Sequence, residues 1–297
     1  MTIVLSSDPT DLFPRKSARD LLIAARAALL GGRAALSYYR SASLRTSEKG
    51  PGDPVTEADL AANRAVLSVL GEECPDDPIL SEESPPPGSV AATGRLWVVD
   101  PLDGTREFID GIDEFAVMVG LAECGRASLG AFYVPGTGLL YVGAVDGGAW
   151  IARCEGGAGT GPLQIGEFRR LRVGEPKQGE VRLVRSRSHP HERLAAIESA
   201  LPVVEVIPSG SVGVKCARIA EGVADLYVHP VPYLKEWDTC APEAVLRGAG
   251  GRVTDCGGVE LLYGKPDPSQ PSGILAGDPT SWAEALPLVS ELSAPIL

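Results

Sequence analysis

The segment RLWVVDPLDGTREFIDG, residues 95–111, decides the fold, because an apolar strand ends there in two carboxylates and a turn. Asp100 is predicted at the carboxyl end of the strand, and Asp103 follows within the turn. Pro101 fixes the backbone between them, and the Leu102 carbonyl can share a cation with Asp103. Hard divalent cations prefer such oxygen ligands, so the segment predicts a cation site.

The residues that follow this strand favour a binding site for phosphate. A helix that begins at this point leaves the amides of Gly104 and Thr105 without intrahelical partners, and such N–H groups suit a phosphate dianion. The alternative is a strand, an Asp-Gly turn and a capped helix that bind no ligand.

The composition indicates a globular protein with a substantial core, since 44% of the 297 residues are hydrophobic and 22% are charged. The formal net charge of -12 argues against binding of nucleic-acid polymers but is compatible with a local site for a small anion. The six cysteines form no CxxC pair, so we expect buried thiols in a reducing cytoplasm. Residues 1–15 lack a secretory pattern, and the amphipathic segment Leu21–Tyr39 is not a membrane span.

Helical periodicity covers Ser17–Arg40 and Glu57–Leu70, and the Gly- and Pro-rich segment 47–55 between them is predicted to be a loop. Apolar runs at hairpin-like spacing predict a mostly antiparallel sheet that these two helices cover. The predicted strands are Pro78–Leu80, Arg95–Asp100, Ala116–Ala122, Ser128–Val134, Leu139–Ala144 and Gly148–Ala152.

The glycine-rich stretch Cys154–Glu167 is a candidate boundary, so we expect two lobes, residues 1–160 and 161–297. Beyond it, strands alternate with helices, which is typical of layered α/β structure. The predicted strands are Val181–Val184, Val203–Val206, Asp225–Val228, Gly251–Thr254 and Gly273–Leu275, and the predicted helices lie near His191–Ala200, Val212–Glu221 and Thr239–Arg247.

Four separate segments place carboxylates next to turns or helix starts: residues 95–111, DPVTEAD (53–59), LSEES (80–84) and KEWDTCAPEAVL (235–246). Each has a simpler explanation. Thr56 and Asp59 have the spacing of a capping box, and Asp238 can cap the helix that follows it. Glu82 can be a solvated loop acid. The agreement of all four segments is stronger evidence for a shared site than any one segment alone.

The predicted cluster consists of Glu82, Asp100, Asp103 and Asp238. Without a cation, their like charges would raise the carboxyl pKa values and cost stability. Two or three Mg²⁺ ions remove this penalty, and such a cluster can hold phosphate oxygens and activate a water for in-line attack. Asp59 and Thr105 are candidates to orient and deprotonate that water.

The order DPVTEAD, SEES, WVVDPLDGT and EWDTCAPEAVLRGAGG resembles the lithium-sensitive, magnesium-dependent phosphatase superfamily that includes the inositol monophosphatases, over nearly the whole chain. The resemblance implies a layered α-β-α-β-α sandwich of the inositol monophosphatase and sugar phosphatase type, with α+β and α/β parts. It implies metal ligation by Glu82, Asp100, the Leu102 carbonyl, Asp103 and Asp238, water activation by Asp59 and Thr105, and phosphate contact from Gly104 and Thr105.

Three further segments, DGTREFI (103–109), SRSH (186–189) and GSVGVK (210–215), resemble the CysQ-like 3′(2′),5′-bisphosphate nucleotidase branch. That branch removes the 3′-phosphate of adenosine 3′,5′-bisphosphate. The resemblance implies substrate contacts from Arg106, Ser186, His189, Gly210, Ser211 and Lys215. Arg106 and the KGPG loop at residues 49–52 depart from the usual pattern of the branch.

A basic island at residues 184–193 suits the second phosphate of such a substrate. Its arginines, Arg185 and Arg187, are further candidate donors, and a solvated loop is the alternative. The second candidate function is an inositol or sugar monophosphatase acting on inositol 1-phosphate or fructose 1,6-bisphosphate, and the third is a non-catalytic nucleotide sensor. The expected partner is a small phosphate ester rather than a nucleic-acid polymer or a membrane. The expected oligomeric state is a monomer or a homodimer.

Overall fold

The computed structural model describes residues 3–5, 13, 17–42, 44–50, 53–84, 94–157, 159, 161–177, 179–188 and 191–293, without the side chains of residues 3–5, 49 and 53. The first elements in chain order are β1 (Ile3–Leu5), α1 (Ala18–Leu36), β2 (Thr46–Gly50), β3 (Asp53–Thr56), α2 (Glu57–Glu73), β4 (Ile79–Ser81), β5 (Arg95–Asp103), α3 (Thr105–Ile109), β6 (Ala116–Glu123), β7 (Arg126–Val134), β8 (Leu139–Ala144), β9 (Gly148–Glu155), β10 (Leu163–Ile165) and β11 (Arg169–Leu171). The remaining elements are β12 (Val181–Ser186), α4 (Glu192–Ala200), β13 (Val203–Ser209), α5 (Val212–Ala220), β14 (Leu226–His229), α6 (Glu236–Gly248), β15 (Arg252–Thr254), β16 (Ile274–Gly277) and α7 (Pro279–Ser293).

In the described part of the chain, nine strands form the first sheet, in the order β1-β10-β9-β8-β7-β6-β5-β4 with β11 also paired to β9. The predicted antiparallel pairing is confirmed from β5 to β9, whereas β4 runs parallel to β5 and β1 parallel to β10. Successive residues of β6 face opposite sides, so Val117 approaches α1 at Gly31 while Met118 approaches α5 at Gly213. Both faces of the sheet are therefore covered by helices.

The second sheet, within the same described residues, has the order β13-β12-β14-β16-β15. Helices α1 and α2 pack on the outer face of the first sheet, α5 and α6 lie between the sheets, and α4 and α7 pack together beyond the second sheet. The predicted α-β-α-β-α sandwich is confirmed. Each sheet is buried between two helical layers, which explains why its strands are apolar on both faces.

Helix α6 lies against the first sheet where a row of three glycines crosses neighbouring strands. Gly120 pairs with Gly130, and Gly130 pairs with Gly143. A Cβ atom at Gly130 would lie only 2.6 Å from the Cα of Ala241 in α6. The row therefore lets the helix backbone approach the sheet more closely than any side chain would allow, and it sets the depth at which Asp238 enters the site.

The prediction of a loop at residues 47–55 is wrong for those residues of the segment that the structure describes. β2 and β3 form a two-stranded antiparallel hairpin with a register shift between Glu48 and Gly50, and residues 51–52 lie outside the described residues. The hairpin lacks the alternation of apolar and polar residues that announces a strand, and Pro54 is typical of strand edges.

Helix α7 was not predicted, although its start carries a capping signal. The Oδ1 atom of Asp278 accepts hydrogen bonds from the amides of Thr280 at 2.8 Å and Ser281 at 3.0 Å, and Pro279 takes the first helical position. Pro287 inside the helix disguises the periodicity. The other predicted helices and strands are confirmed, with ends displaced by a few residues.

The chain passes from the first sheet to the second between Leu171 and Val181. Strands β10 and β11, which follow the predicted division at residue 160, pair within the first sheet. The division into two lobes stays a prediction. Among the described helices, none combines the length and the apolar character that a bilayer crossing requires.

We predict that Gly130→Ala destabilises the protein by about 1–3 kcal/mol, because the new methyl group must displace α6 from the sheet. Thermal denaturation measures the change. Gly71→Ala in α2 is the matched control, since nothing lies within 4 Å of its Cβ position, and alanine favours a helix. Equal melting temperatures for the two variants would show that the glycine row does not set the helix position.

Candidate active site

Three buried or half-buried carboxylates converge where strand β5 of the first sheet ends. Asp100, Asp103 and Asp238 each offer one oxygen atom, and these atoms all lie within 4.8 Å of one another. Asp100 and Asp103 come from the end of β5, and Asp238 comes from the first turn of α6. Such a set of hard oxygen donors fits a divalent cation of the magnesium type.

A bulge at the end of β5 shapes the first part of this site. The pairing of β5 with β6 shifts register between Asp100 and Asp103, so Pro101 and Leu102 leave the regular ladder. Within the bulge, Asp100 Oδ1 accepts a hydrogen bond from the Leu102 amide at 3.0 Å. The Leu102 carbonyl oxygen lies 3.0 Å from Thr105 Oγ1. The predicted turn thus brings both carboxylates into one cluster, and the Leu102 carbonyl lies next to Thr105.

Asp238 caps α6 and also lies in the carboxylate cluster, so both explanations that the sequence offers for it describe its surroundings. It is the third residue of α6, and its Oδ2 atom accepts a hydrogen bond from the Lys235 amide at 2.5 Å, as a helix-capping carboxylate does. It also belongs to the carboxylate cluster. Capping fixes the side chain, and the helix start places it opposite β5.

Glu82 lies at the end of β4, directly beside β5. Its amide donates to the Val99 carbonyl at 3.2 Å, which holds the SEES turn next to the strand that ends in Asp100. The charge of Glu82 raises the pKa of both Asp100 and Asp238. The fourth predicted acid therefore borders the same cluster.

The cluster is electrostatically strained as a set of bare carboxylates. Burial, followed by the charges of Glu82, Asp103 and Asp238, raises the pKa of Asp100 well above the usual carboxyl range. Burial and the neighbouring acids likewise raise the pKa of Asp238, while burial raises that of Asp103 against the opposing effect of the Lys215 ammonium. A divalent cation would relieve this repulsion, since opposite charge favours the ionised form.

Asp59 and Thr105 meet at the side of the cluster. Thr105 Oγ1 lies 3.1 Å from Asp59 Oδ1, while Asp59 Oδ2 accepts hydrogen bonds from the Thr56 amide at 2.8 Å and hydroxyl at 2.6 Å. The capping box and the pairing with Thr105 are therefore both present. Burial raises the pKa of Asp59, and the hydrogen bonds from Thr56 and Thr105 oppose the rise.

Gly104 connects this pair to the carboxylate cluster. Its φ of 90° lies in the left-handed region that glycine adopts without strain, and α3 begins directly after it at Thr105. The predicted helix start is thus at the predicted residue. Phosphate contact by the amides of Gly104 and Thr105 stays a prediction.

The structure brings part of the predicted substrate-contact set to the cluster. Lys215 is 4% exposed, and its charge acts on both Asp103 and Asp238. Ser211 donates to Asp103 and lies at the start of α5, next to Gly210. Arg106 is exposed on α3, and half-buried Ser186 ends β12. His189 lies outside the described residues.

The basic island is paired with acids that sequence reasoning missed. Arg187 lies 3.0 Å from Glu114, and the same carboxylate accepts from the Gly210 amide at 2.8 Å. Arg185 lies 3.2 Å from Glu198. Buried Glu107 accepts a hydrogen bond from Ser188. Glu107 and Glu114 tie loops of the second sheet to α3 and to the turn after it, whereas Glu198 lies in α4. No local pattern announces these pairings.

The comparisons with known proteins agree with this geometry. The sequence profile of the inositol monophosphatase family matches residues 18–292. The chain belongs to the inositol monophosphatase family.

Within the family, the chain is 36% identical to the 3′(2′),5′-bisphosphate nucleotidase CysQ of Salmonella typhimurium over 78% of this chain and 89% of that protein. The crystal structure of CysQ from Bacteroides thetaiotaomicron matches with a TM-score of 0.70 and 29% identity, covering 87% of this chain and 97% of that one. The extragenic suppressor protein suhB from Bartonella henselae matches with a TM-score of 0.74 and 25% identity, covering 94% of this chain and all of that one (100%).

We predict that the metal-free protein loses stability as the pH rises from about 4, the usual carboxyl pKa. Below that pH the cluster is neutral in the folded and unfolded chains alike. As the pH rises through the raised pKa values of Asp100 and Asp238, the unfolded chain has released protons that the folded protein keeps, so the free energy of unfolding falls. Melting temperatures in a chelator across this range measure the effect.

Asp100→Asn provides the comparison, because it removes one charge while the amide oxygen can still accept from Leu102. The variant should lose less stability with rising pH than the parent protein. It should also gain less from added Mg²⁺, since binding to the folded state is what stabilises it. Parallel pH profiles for the two proteins would contradict the repulsion argument.

Proposed function

We propose that this protein is a Mg²⁺-dependent phosphatase that removes the 3′-phosphate of adenosine 3′,5′-bisphosphate to give AMP and phosphate. The observation that carries the proposal is the position of the Asp59–Thr105 pair beside the cluster of Asp100, Asp103 and Asp238. The names of the nucleotidase relatives support the choice of substrate.

In this proposal, two or three Mg²⁺ ions are held by Glu82, Asp100, the Leu102 carbonyl, Asp103 and Asp238. Bound ions of this kind polarise phosphoryl oxygens, lower the pKa of a bound water and neutralise the leaving alkoxide. Support comes from the all-oxygen donor set and from the mutual repulsion of these carboxylates when no cation is bound.

Asp59 and Thr105 act on the attacking water. The Thr105 hydroxyl accepts a proton from the water as it passes its own proton to Asp59 Oδ1, 3.1 Å away. Asp59 suits this role because burial raises its pKa, which makes its carboxylate a better base at neutral pH. The water oxygen then replaces the ribose 3′-oxygen on phosphorus, while the amides of Gly104 and Thr105 orient the phosphate.

Lys215 is the proposed cation for the remainder of the substrate. Its ammonium group is buried beside Asp103, and Ser211 and Gly210 precede it on the same loop and helix. Arg106, Ser186 and His189 complete the proposed contacts. Arg185 and Arg187 contribute only if they exchange Glu198 and Glu114 for the second phosphate.

The alternative substrate class is an inositol or sugar monophosphate. The solved inositol monophosphatase from Anabaena shares this fold with a TM-score of 0.72, and the same carboxylate cluster can serve any phosphate ester. The substrate is therefore decided by helix α5, which carries Lys215, and by the segment after β12, which carries Arg187, rather than by the metal ligands. We also propose a cytoplasmic location, in agreement with six free cysteine thiols.

We predict that kcat/KM is highest for adenosine 3′,5′-bisphosphate in a panel with inositol 1-phosphate and fructose 1,6-bisphosphate. Adenosine 3′-monophosphate serves as a matched control, because it lacks only the 5′-phosphate that the proposed cations bind. Chelation should abolish turnover in every case, and Mg²⁺ should restore it. A preference for inositol 1-phosphate would assign the enzyme to the alternative class.

We predict that Thr105→Val lowers kcat by about 10²–10⁴-fold, because the proton path from water to Asp59 requires the hydroxyl. Thr105→Ser keeps the hydroxyl and should retain most of the activity. Circular dichroism and melting temperatures check that both variants fold alike. If valine supports the same kcat as serine, Thr105 has no part in proton transfer.

A further inference from the structure

One carboxylate oxygen of Asp103, at the end of β5, is held by residues at the start of helix α5. Its Oδ2 atom accepts two hydrogen bonds from the start of α5, one from Ser211 Oγ at 2.5 Å and one from the Gly213 amide at 3.0 Å. Two donors on one oxygen stop the carboxylate from rotating. The Oδ1 atom is then the oxygen that remains available to a cation.

The hydroxyl of Ser211 has no hydrogen to spare for a substrate. A serine hydroxyl carries a single hydrogen, and here it points to Asp103. The oxygen also accepts a hydrogen bond from the Val214 amide at 3.2 Å, which caps α5. Ser211 is 4% exposed, so both bonds are shielded from water.

The backbone of Ser211 gives independent support. Its φ of 47° is positive, a conformation that glycine adopts more readily than a residue with a side chain. Glycine would adopt it without strain and would lose the hydroxymethyl group. A serine at such a position indicates that the hydroxyl itself is required.

We propose that Ser211 is a positioning residue that fixes Asp103 for metal binding, rather than a contact to the substrate. The inference rests on the proposed metal site but not on the choice of substrate. It extends that site across the sandwich, because a helix between the sheets orients a ligand carried by the first sheet. Oxygen ligands that are held by hydrogen bonds bind metals more tightly than free ones.

The test measures metal binding without substrate, by calorimetric titration of the apoprotein with Mn²⁺ and with Mg²⁺. Ser211→Ala removes the hydroxyl and keeps the strained backbone, whereas Ser211→Gly removes both the hydroxyl and the strain. Both variants should bind about 10–100-fold more weakly than the parent protein. The glycine variant should be the more stable of the two, which separates loss of the ligand support from loss of folding.

Ser128→Ala is the matched control, because Ser128 Oγ donates to the Glu123 carboxylate at the same distance of 2.5 Å in the β6–β7 hairpin. It should bind both metals like the parent protein. Unchanged metal affinity in the two Ser211 variants, with a raised KM for the nucleotide, would make Ser211 a substrate contact and overturn the proposal. So would a glycine variant with parental affinity, or an apoprotein that binds neither ion.

If the substrate panel favours inositol 1-phosphate while the Ser211 variants still lose metal affinity, the positioning role stands and only the nucleotidase assignment fails. The two proposals therefore fail separately.

Discussion

The repulsion among buried carboxylates is the constraint on which the rest of the molecule depends. Asp100 and Asp238 sit where burial and neighbouring acids raise their pKa values well above the usual range, a state that opposes folding at neutral pH. The fold holds them there by fixed local devices. A bulge orients Asp100, a helix cap orients Asp238, and the start of α5 orients Asp103.

The layered architecture provides the rigidity that this arrangement needs. The glycine row on the first sheet lets α6 lie close to the strands, so the helix that carries Asp238 cannot drift from the strand that carries Asp100. Helix α5 packs against α6 in the same layer and brings Ser211 to Asp103. A site assembled from the first sheet and the helices between the two sheets thus depends on one close helix-to-sheet contact.

The site also shows how capping and catalysis share residues. Asp59 completes a capping box with Thr56 and contacts Thr105 with its other oxygen, and Asp238 caps α6 while it faces the cluster. Each carboxylate has two oxygens, so one can satisfy the helix while the other serves the site. The capping explanation of these motifs is therefore confirmed, and it leaves one oxygen of each side chain for the proposed role.

The sequence by itself determined most helices and strands, the turn of residues 95–111 and the identity of the acids, because periodicity and turn chemistry are local. The layered sandwich followed from the resemblance to a known family. Sequence patterns missed the hairpin before α2 and the helix α7, where prolines and charges obscure the pattern. Only the tertiary structure decided that Glu114 and Glu198 pair with the basic island, and that Ser211 reaches Asp103 across 108 residues of chain. Contacts between distant segments depend on how the layers pack, and neither residue spacing nor composition records that packing.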